Sequence, residues 1–207
     1  MLSCYLSPFV SNDRIYPVLY DLERETRRCI DIVQRLLTFA HAAKPKKETL
    51  QKEDISLVLD RVLRLLDYRI KEQQALVTRS TAETVPKIWI RISEIQQVFL
   101  NILANALDAV ENTDGKKINI TVKPCNEHVS ISVKDTGCGI AADQLKHIFD
   151  PFFSTKGRRQ GTGLGLAISH NIIKEHGGKI TCKSKMGRGT EMLILLPQKL
   201  KEKDMII

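Results

Sequence analysis

Two asparagines and an aspartate recur at helical spacing in the segment NILANALDA (101–109). Asn101, Asn105 and Asp108 occupy positions i, i+4 and i+7, so a helix would project all three side chains from one face. Asparagine disfavours the interior of a helix, but its side-chain carbonyl is a hard neutral oxygen that suits Mg²⁺. The segment is therefore typical of either a magnesium-binding face or an ordinary solvent-exposed polar face, and the helix alone leaves both interpretations open.

Two glycine-rich turns follow further along the chain. Asp135 ends a predicted strand and precedes the turn TGCGI (136–140), where its carboxylate can accept a hydrogen bond from an exocyclic amine. The second turn, GTGLGL (161–166), opens a predicted helix, whose free backbone N–H groups and positive dipole end can hold phosphates. No lysine followed by serine or threonine closes it, and a basic loop precedes it, which excludes a Walker A loop and a Rossmann fingerprint. Each turn by itself is a weak signal.

An aromatic and basic segment, FDPFFSTK (149–156), lies between the two turns. Its phenylalanines could anchor a mobile loop, while Lys156, Arg158 and Arg159 supply positive charge that suits a polyphosphate. The same residues also fit core aromatics beside a solvated basic loop, so the segment alone does not separate a binding function from a structural one.

Long helices are predicted in the first part of the chain. Residues 18–43 contain no proline or glycine and repeat apolar side chains every three or four positions, which predicts a helix with a coiled-coil-like seam. Residues 44–47 (KPKK) break this helix and form a linker. A second helix is predicted from an N-cap at Asp54 to about Lys71. Its predicted inward residues are Leu59, Leu63, Leu66 and Ile70.

The rest of the chain mixes helices with antiparallel strands. Ser93 and Gln96 form an S-x-x-Q capping box, which predicts a helix to about Val110. A short helix is predicted near 142–149, and a longer one is closed by the glycine pair at 177–178. Strands are predicted at 87–91, 117–123, 128–134, 179–184 and 191–196, the second and third forming a hairpin. The pattern predicts an α+β fold, a two-layer α/β sandwich, rather than a doubly wound parallel sheet.

The composition narrows the function classes. The chain has 207 residues, 43% of them hydrophobic, and all 11 glycines lie from Gly115 to Gly189. The 5 cysteines are scattered without a C-x-x-C pair, which argues against a disulfide framework or a zinc site and favours a reducing cytosol. The net charge is +8, but acids are interspersed with the bases and only 5% of residues are aromatic, which argues against nucleic-acid binding. No apolar run is long enough to span a bilayer, so no direct membrane contact is expected.

The four segments NILANALDA, DTGCGI, FDPFFSTK and GTGLGL, taken together in this order, resemble the N, G1, F and G2 boxes of the catalytic ATP-binding domain of two-component sensor histidine kinases. That domain is a branch of the gyrase, MutL and histidine-kinase superfamily. The closing stretch 176–197 also resembles the family's C-terminal pattern, and the resemblance covers about residues 16–198. It implies a Bergerat-type ATP-binding fold, a mixed sheet covered by helices, with a helical dimerisation segment before it.

The resemblance also implies the cofactors, ATP and Mg²⁺, and the residues that bind them. Asn105, with Asn101 beside it, would ligate the Mg²⁺ that bridges the phosphates, and Asp135 would bind the adenine amine. Asn101 and Lys156 would be catalytic, with Lys156 approaching the γ-phosphate. Further nucleotide-binding positions would be Gly137, Gly139, Ile140, Phe149, Gly161, Thr162, Gly163, Leu164, Gly165, Leu166 and, through water, Thr190.

One position separates kinases from hydrolases in this superfamily. Where the gyrase- and MutL-type ATPases place a water-activating glutamate, this sequence has Asn101, and loss of that general base favours transfer to a protein acceptor over hydrolysis. Asp108 departs from kinase groups that have a lysine or arginine there, so the phosphate contact of that basic residue is reassigned to Lys156.

The acceptor histidine is the larger departure. Residues 18–43 resemble the second dimerisation helix, so the chain is expected to begin after the acceptor box, and its 5 histidines are expected to be structural or exposed. The expected domains are a partial dimerisation hairpin at 1–44, a catalytic ATP-binding domain at 45–200 and a tail at 201–207.

The predicted activity is transfer of the ATP γ-phosphoryl to a histidine, from which the aspartate of a response-regulator receiver domain takes it. The chain is expected to be cytoplasmic and homodimeric through its helical segment, and not to phosphorylate itself. Two other functions remain open: an ATP-hydrolysing conformational switch and a non-catalytic nucleotide-binding dimerisation module.

Overall fold

The computed structural model describes residues 49–154 and 162–199 of the chain. The chain divides into two units, Met1–Lys46 and Lys47–Ile207, and every described residue belongs to the second. The predictions that lie outside the described residues concern the hairpin at 1–44, the tail at 201–207, Lys156, Arg158, Arg159 and Gly161.

The described residues form seven strands, three α-helices and one short 3₁₀ helix. In chain order these are β1 (Gln51–Glu53), α1 (Ile55–Glu72), β2 (Leu76–Thr81), β3 (Ile88–Ile90), α2 (Ile92–Val110), β4 (Lys117–Cys125), β5 (His128–Asp135), a short 3₁₀ helix (Gln144–Lys146), α3 (Gly165–Glu175), β6 (Lys179–Lys185) and β7 (Gly189–Pro197). Five strands make one sheet in the order β2-β4-β5-β7-β6, and β1 pairs with β3 separately. The architecture is α+β, as the sequence predicts.

Alternation of side chains along the strands gives the sheet one buried face. On β4 the apolar residues Ile118, Ile120 and Val122 are buried, whereas Lys117 and Asn119 between them are exposed. The same alternation buries one side of β5 and β7, and these side chains join those of the helices in a single core. This face of the sheet supports α2, which carries the candidate site.

The sheet is mixed because β2 runs parallel to β4, while the other strand pairs are antiparallel. The sequence pattern predicts neither β1 nor β2. The signal is weak since β2 (LVTRST) is a polar edge strand and its partner β4 lies far along the chain. The helix predicted near 142–149 is also wrong in extent, because only Gln144–Lys146 forms one 3₁₀ turn.

Helix α1 confirms its predicted cap. The Asp54 side chain accepts a hydrogen bond from the Ser56 backbone N–H at 2.8 Å, and the helix continues to Glu72. The inward face differs from the prediction because Leu63 and Ile70 are only partly buried. The fully enclosed residues are Ile55, Val58, Leu59, Val62 and Leu66.

Helix α2 begins earlier than its predicted capping box. Arg91 is the N-cap residue, makes no side-chain capping bond, and leaves Ser93 within the first turn. A long-range contact explains this start, because the Arg91 backbone N–H donates to Nε2 of His176 at 3.0 Å. The capping-box prediction is therefore wrong, since tertiary contact overrides the local signal.

His176 ties the end of α3 to the start of α2 as a neutral side chain. Its Nδ1–H donates to the Ile172 carbonyl at 2.7 Å, so Nε2 is left as the acceptor for Arg91. Burial lowers the pKa of His176, and the nearby Glu94 and Glu175 only partly oppose this effect. His176 is therefore structural, in agreement with the sequence prediction for this position.

We expect a pH dependence of stability from His176. In the unfolded chain it takes up a proton below about pH 6.5, whereas the folded chain resists protonation, so stability falls as the pH drops below that value by at most about 1.4 kcal/mol per pH unit. Urea unfolding at about pH 7.5 and about pH 5.5 should show a smaller acid loss in His176→Gln than in the wild type. His128→Gln, at the start of β5, is the control and should behave like the wild type; equal acid losses in all three proteins would contradict this role.

Candidate functional site

The polar face of α2 contacts both neighbouring helices. The Asn101 side-chain amide donates to the carbonyl of Gly165 at 3.0 Å and lies 3.3 Å from Oγ of Ser169 on α3. At the far end, Asp108 forms an ion pair with Arg69 in the last turn of α1. Asn105 lies between them and is half-buried. The Arg69 contact was missed by the sequence analysis, because nothing in the local pattern links residues so far apart.

Asp135 is a buried carboxylate at the end of β5. It is 5% exposed, and its Oδ1 accepts backbone hydrogen bonds from Gly137 at 2.8 Å and Thr190 at 3.1 Å. Burial raises the pKa of Asp135, although the two backbone donors act in the opposite direction. Since Oδ1 holds both of these contacts within the described residues, Oδ2 is suited to accept a hydrogen bond from a ligand amine.

The turn after Asp135 needs its glycines. A Cβ at Gly137 would lie 2.6 Å from backbone atoms of Ala109, at the end of α2. Gly139 has a φ of +73°, and its Cβ would lie 2.1 Å from the carbonyl oxygen of Lys185. The turn is therefore fixed between α2 and the connection from β6 to β7, which brings Asp135 beside α2.

The connection from β6 to β7 also lies against Asp135. Gly189 has a φ of +88°, and a Cβ there would lie 2.0 Å from the carbonyl oxygen of Asp135. Next to it, Thr190 is 9% exposed, so the sequence-predicted pair Asp135 and Thr190 is brought together. Ser184 of β6 also contacts this group, through Ile140 and Thr190, and was not predicted.

The start of α3 packs against α2. Its N-cap residue, Leu164, makes no side-chain capping bond, so no side-chain cap competes with a ligand for the first N–H groups. Gly165 packs directly on Asn101, and a Cβ at Gly165 would lie 3.4 Å from its side chain. Within the described residues, the buried Oγ1 of Thr162 makes no hydrogen bond. A helix N-terminus with such an unsatisfied hydroxyl is suited to phosphate oxygens.

The aromatic segment from Phe149 to Phe153 contacts α3 and the residues just before its start. The Phe152 N–H donates to the Gly163 carbonyl at 3.0 Å, and both residues have positive φ. Phe149 is partly buried against the core and stacks on His170 of α3 at 5.3 Å between ring centroids. Phe149 thus packs on the core and Phe152 is exposed, while the basic residues of this segment lie outside the described residues. Ile140 and Leu166 are half-buried near the same two turns.

A magnesium ion fits this site only together with phosphate. The described residues hold no cluster of three or more His, Cys, Asp or Glu side chains that could chelate a metal. Mg²⁺ is usually bound by few protein ligands together with water and substrate phosphates, and an amide oxygen of the α2 face is compatible with that role.

Comparison with known proteins identifies the family. Residues 90–200 match the model described as the histidine kinase-, DNA gyrase B- and HSP90-like ATPase family, which is more than half of the chain. The chain therefore belongs to this family, and its relatives place it with the catalytic ATP-binding domains of sensor histidine kinases.

The curated relatives are longer proteins. The chain is 35% identical over 183 residues to the sensor histidine kinase ZraS of Escherichia coli strain K12, covering 88% of this chain and 38% of ZraS. It is 34% identical over 174 residues to sporulation kinase E of Bacillus subtilis strain 168, covering 84% of this chain and 23% of that kinase. The chain thus spans less than half the length of these relatives.

Solved structures share the fold. The catalytic domain of the histidine kinase ThkA has a TM-score of 0.64 and 30% identity, covering 72% of this chain and 95% of that domain. Full-length ShkA in complex with AMPPNP has a TM-score of 0.77 and 25% identity, covering 95% of this chain and 41% of ShkA. Among the described residues, no helix is both long and apolar enough to cross a membrane.

Proposed function

We propose that this chain binds Mg·ATP between α2, the two glycine-rich turns and α3, and supplies the γ-phosphoryl group to a histidine. The observation that carries the proposal is the buried Asp135, which stands 5% exposed beside Thr190 with an oxygen available to a base amine. The likeness to ShkA, solved with AMPPNP, supports the same ligand class. When bound, Mg²⁺ neutralises charge on the phosphates.

Asn101 favours transfer rather than hydrolysis. Its amide cannot take a proton from water at neutral pH, and its nitrogen is committed to the Gly165 carbonyl at 3.0 Å. Where a general base would stand, the neutral Asn101 side chain forms a hydrogen bond that holds the start of α3. The domain then acts by orienting the nucleotide and by neutralising charge, as phosphoryl transfer requires.

The remaining parts of the proposal rest on the family. We propose that Asn105 and Asn101 ligate the ion, that Lys156 approaches the γ-phosphate, and that the segments at 161–166 and Thr190 complete the nucleotide site. We also propose a helical dimerisation segment at 1–44, a catalytic domain at 45–200, a cytoplasmic location and a response-regulator partner. The name of the relative ZraS, a sensor histidine kinase, supports the kinase part of these assignments.

We expect Asn105→Ala to remove the magnesium-dependent part of nucleotide affinity, since it deletes the proposed amide ligand. Titration with AMPPNP should show at least about tenfold weaker binding with Mg²⁺ and little change in EDTA. Asn119→Ala is the matched control, because Asn119 is exposed on β4 and its side chain accepts a hydrogen bond from the Thr78 hydroxyl on the neighbouring strand. A loss of equal size with and without Mg²⁺ would assign Asn105 to general stability instead.

Transfer of labelled phosphate tests the reaction. The chain is mixed with γ-labelled ATP and a separately produced helical hairpin that carries an acceptor histidine. We expect acid-labile label on the hairpin and none on this chain. Acid-labile label on this chain would refute the proposed acceptor arrangement. Steady phosphate release that Asn105→Ala abolishes, without labelled hairpin, would instead identify an ATP-hydrolysing switch.

A further inference from the structure

Ser184 lies where the two halves of the base pocket meet. Its Oγ is 2.8 Å from the backbone nitrogen of Ile140, 2.9 Å from the carbonyl oxygen of Gly189 and 2.9 Å from Oγ1 of Thr190. It therefore joins the turn after Asp135 to the strand that supplies Thr190. Ser184 is not one of the nucleotide-binding positions that the family resemblance implies.

The number of protons fixes the direction of these bonds. A serine hydroxyl has one proton and two lone pairs, the Ile140 N–H can only donate, and the Gly189 carbonyl can only accept. All three contacts are hydrogen bonds in one arrangement: Ser184 donates to Gly189, and Thr190 donates its own proton to Ser184. If Ser184 donated to Thr190 instead, two oxygen lone pairs would face each other at Gly189, 2.9 Å apart.

This arrangement decides what Thr190 offers to a ligand. Its proton is used by Ser184, so only lone pairs remain on Oγ1, and its backbone N–H holds Asp135 Oδ1 at 3.1 Å. Asp135 Oδ2 and Thr190 Oγ1 are then both acceptors, on two residues held together by the bond from the Thr190 N–H to Asp135 Oδ1. A purine with an amino group at position 6 donates to such a pair, whereas a purine with an oxo group there meets lone pairs.

We propose that Ser184 is a positioning residue that orients the Thr190 hydroxyl and thereby selects 6-amino over 6-oxo purine nucleotides. The proposal rests on the proposed function, because it requires that the base is bound at Asp135. Without the Ser184 hydroxyl, the Thr190 proton can turn toward the ligand and donate to a 6-oxo group. The ratio of the affinities for 6-amino and 6-oxo purine nucleotides then falls.

The test compares ADP with inosine diphosphate, its 6-oxo counterpart. Ser184→Thr and Ser184→Val are a matched pair, because threonine and valine are both β-branched and suited to a strand. Valine has a methyl group where threonine has its hydroxyl. We expect Ser184→Thr to keep the wild-type ratio of the two affinities and Ser184→Val to reduce it by about five- to tenfold. Ser132→Ala, which removes a hydroxyl bonded to Glu191 on the same sheet, should keep the wild-type ratio.

The ratio separates positioning from loss of structure, since damage to the pocket weakens both nucleotides together. Equal ratios in Ser184→Thr and Ser184→Val, with wild-type preference for ADP intact, would overturn the role of Ser184 and leave the proposed function standing. Failure of the wild type to bind ADP at all would overturn the proposed function and this inference with it.

Discussion

Asp135→Asn is expected to lower the affinity for adenine nucleotides at least about 100-fold, or by about 2.7 kcal/mol or more, while leaving the protein folded. Asparagine keeps an oxygen for the backbone donors of Gly137 and Thr190, at 2.8 and 3.1 Å in the wild type, but places an N–H₂ group where Oδ2 stood. A base amine then meets a donor instead of an acceptor. Competition of a fluorescent nucleotide with ADP measures the loss.

The same substitution should separate binding from stability. Burial raises the folded-state pKa of Asp135 above its ordinary value of 3.8, so ionisation of this group disfavours the folded chain as the pH rises through that pKa. Removing the charge should therefore raise the free energy of unfolding at neutral pH, with no gain in acid. Asp67→Asn, on the exposed surface of α1, controls for the change in net charge. Parallel losses of affinity and stability in Asp135→Asn would contradict a ligand-binding carboxylate.

Gly189→Ala is expected to destabilise the protein by at least about 3 kcal/mol and to remove nucleotide binding. Part of the loss, about 1–2 kcal/mol, comes from a side chain at positive φ. The rest comes from a clash, because the new Cβ would lie 2.0 Å from the Asp135 carbonyl oxygen and can be accommodated only by moving backbone. This movement would displace the Asp135 end of β5.

Gly187 in the same connection provides the control. Its φ is +72°, but a Cβ there would meet nothing within 4 Å, so Gly187→Ala carries the backbone strain without the clash. We expect Gly187→Ala to be at least about 1 kcal/mol more stable than Gly189→Ala in urea unfolding, and to keep nucleotide binding. Similar stabilities for the two variants would show that close approach to Asp135 is not what requires Gly189.

Part of the candidate site can be located from the sequence because its polar groups are close together along the chain. Asp135 and the turn that follows it are adjacent in the chain, and Asn101 and Asn105 share a helix face, so spacing alone places them. Thr190 comes from a distant strand, and the family resemblance predicts it near Asp135. In the structure its backbone N–H lies 3.1 Å from Oδ1 of Asp135.

The features that the sequence missed depend on contacts between distant segments. Ser184 looks like any polar residue of the strand KITCKSK, and its role appears only when the turn at Ile140 reaches it at 2.8 Å. The start of α2 at Arg91 depends on His176 in the same way, at 3.0 Å. Parallel pairing of β2 with β4 brings together strands that are separated by an intervening helix, and no local pattern encodes it.

Calorimetric titration with Mg·AMPPNP tests whether the chain has a nucleotide site built around Asp135. We expect one nucleotide bound per chain with a Kd below about 1 mM, weaker binding in EDTA and no measurable binding by Asp135→Asn. Absence of heat and of thermal stabilisation at several millimolar Mg·AMPPNP, or equal binding by the wild type and Asp135→Asn, would contradict a nucleotide site organised around Asp135.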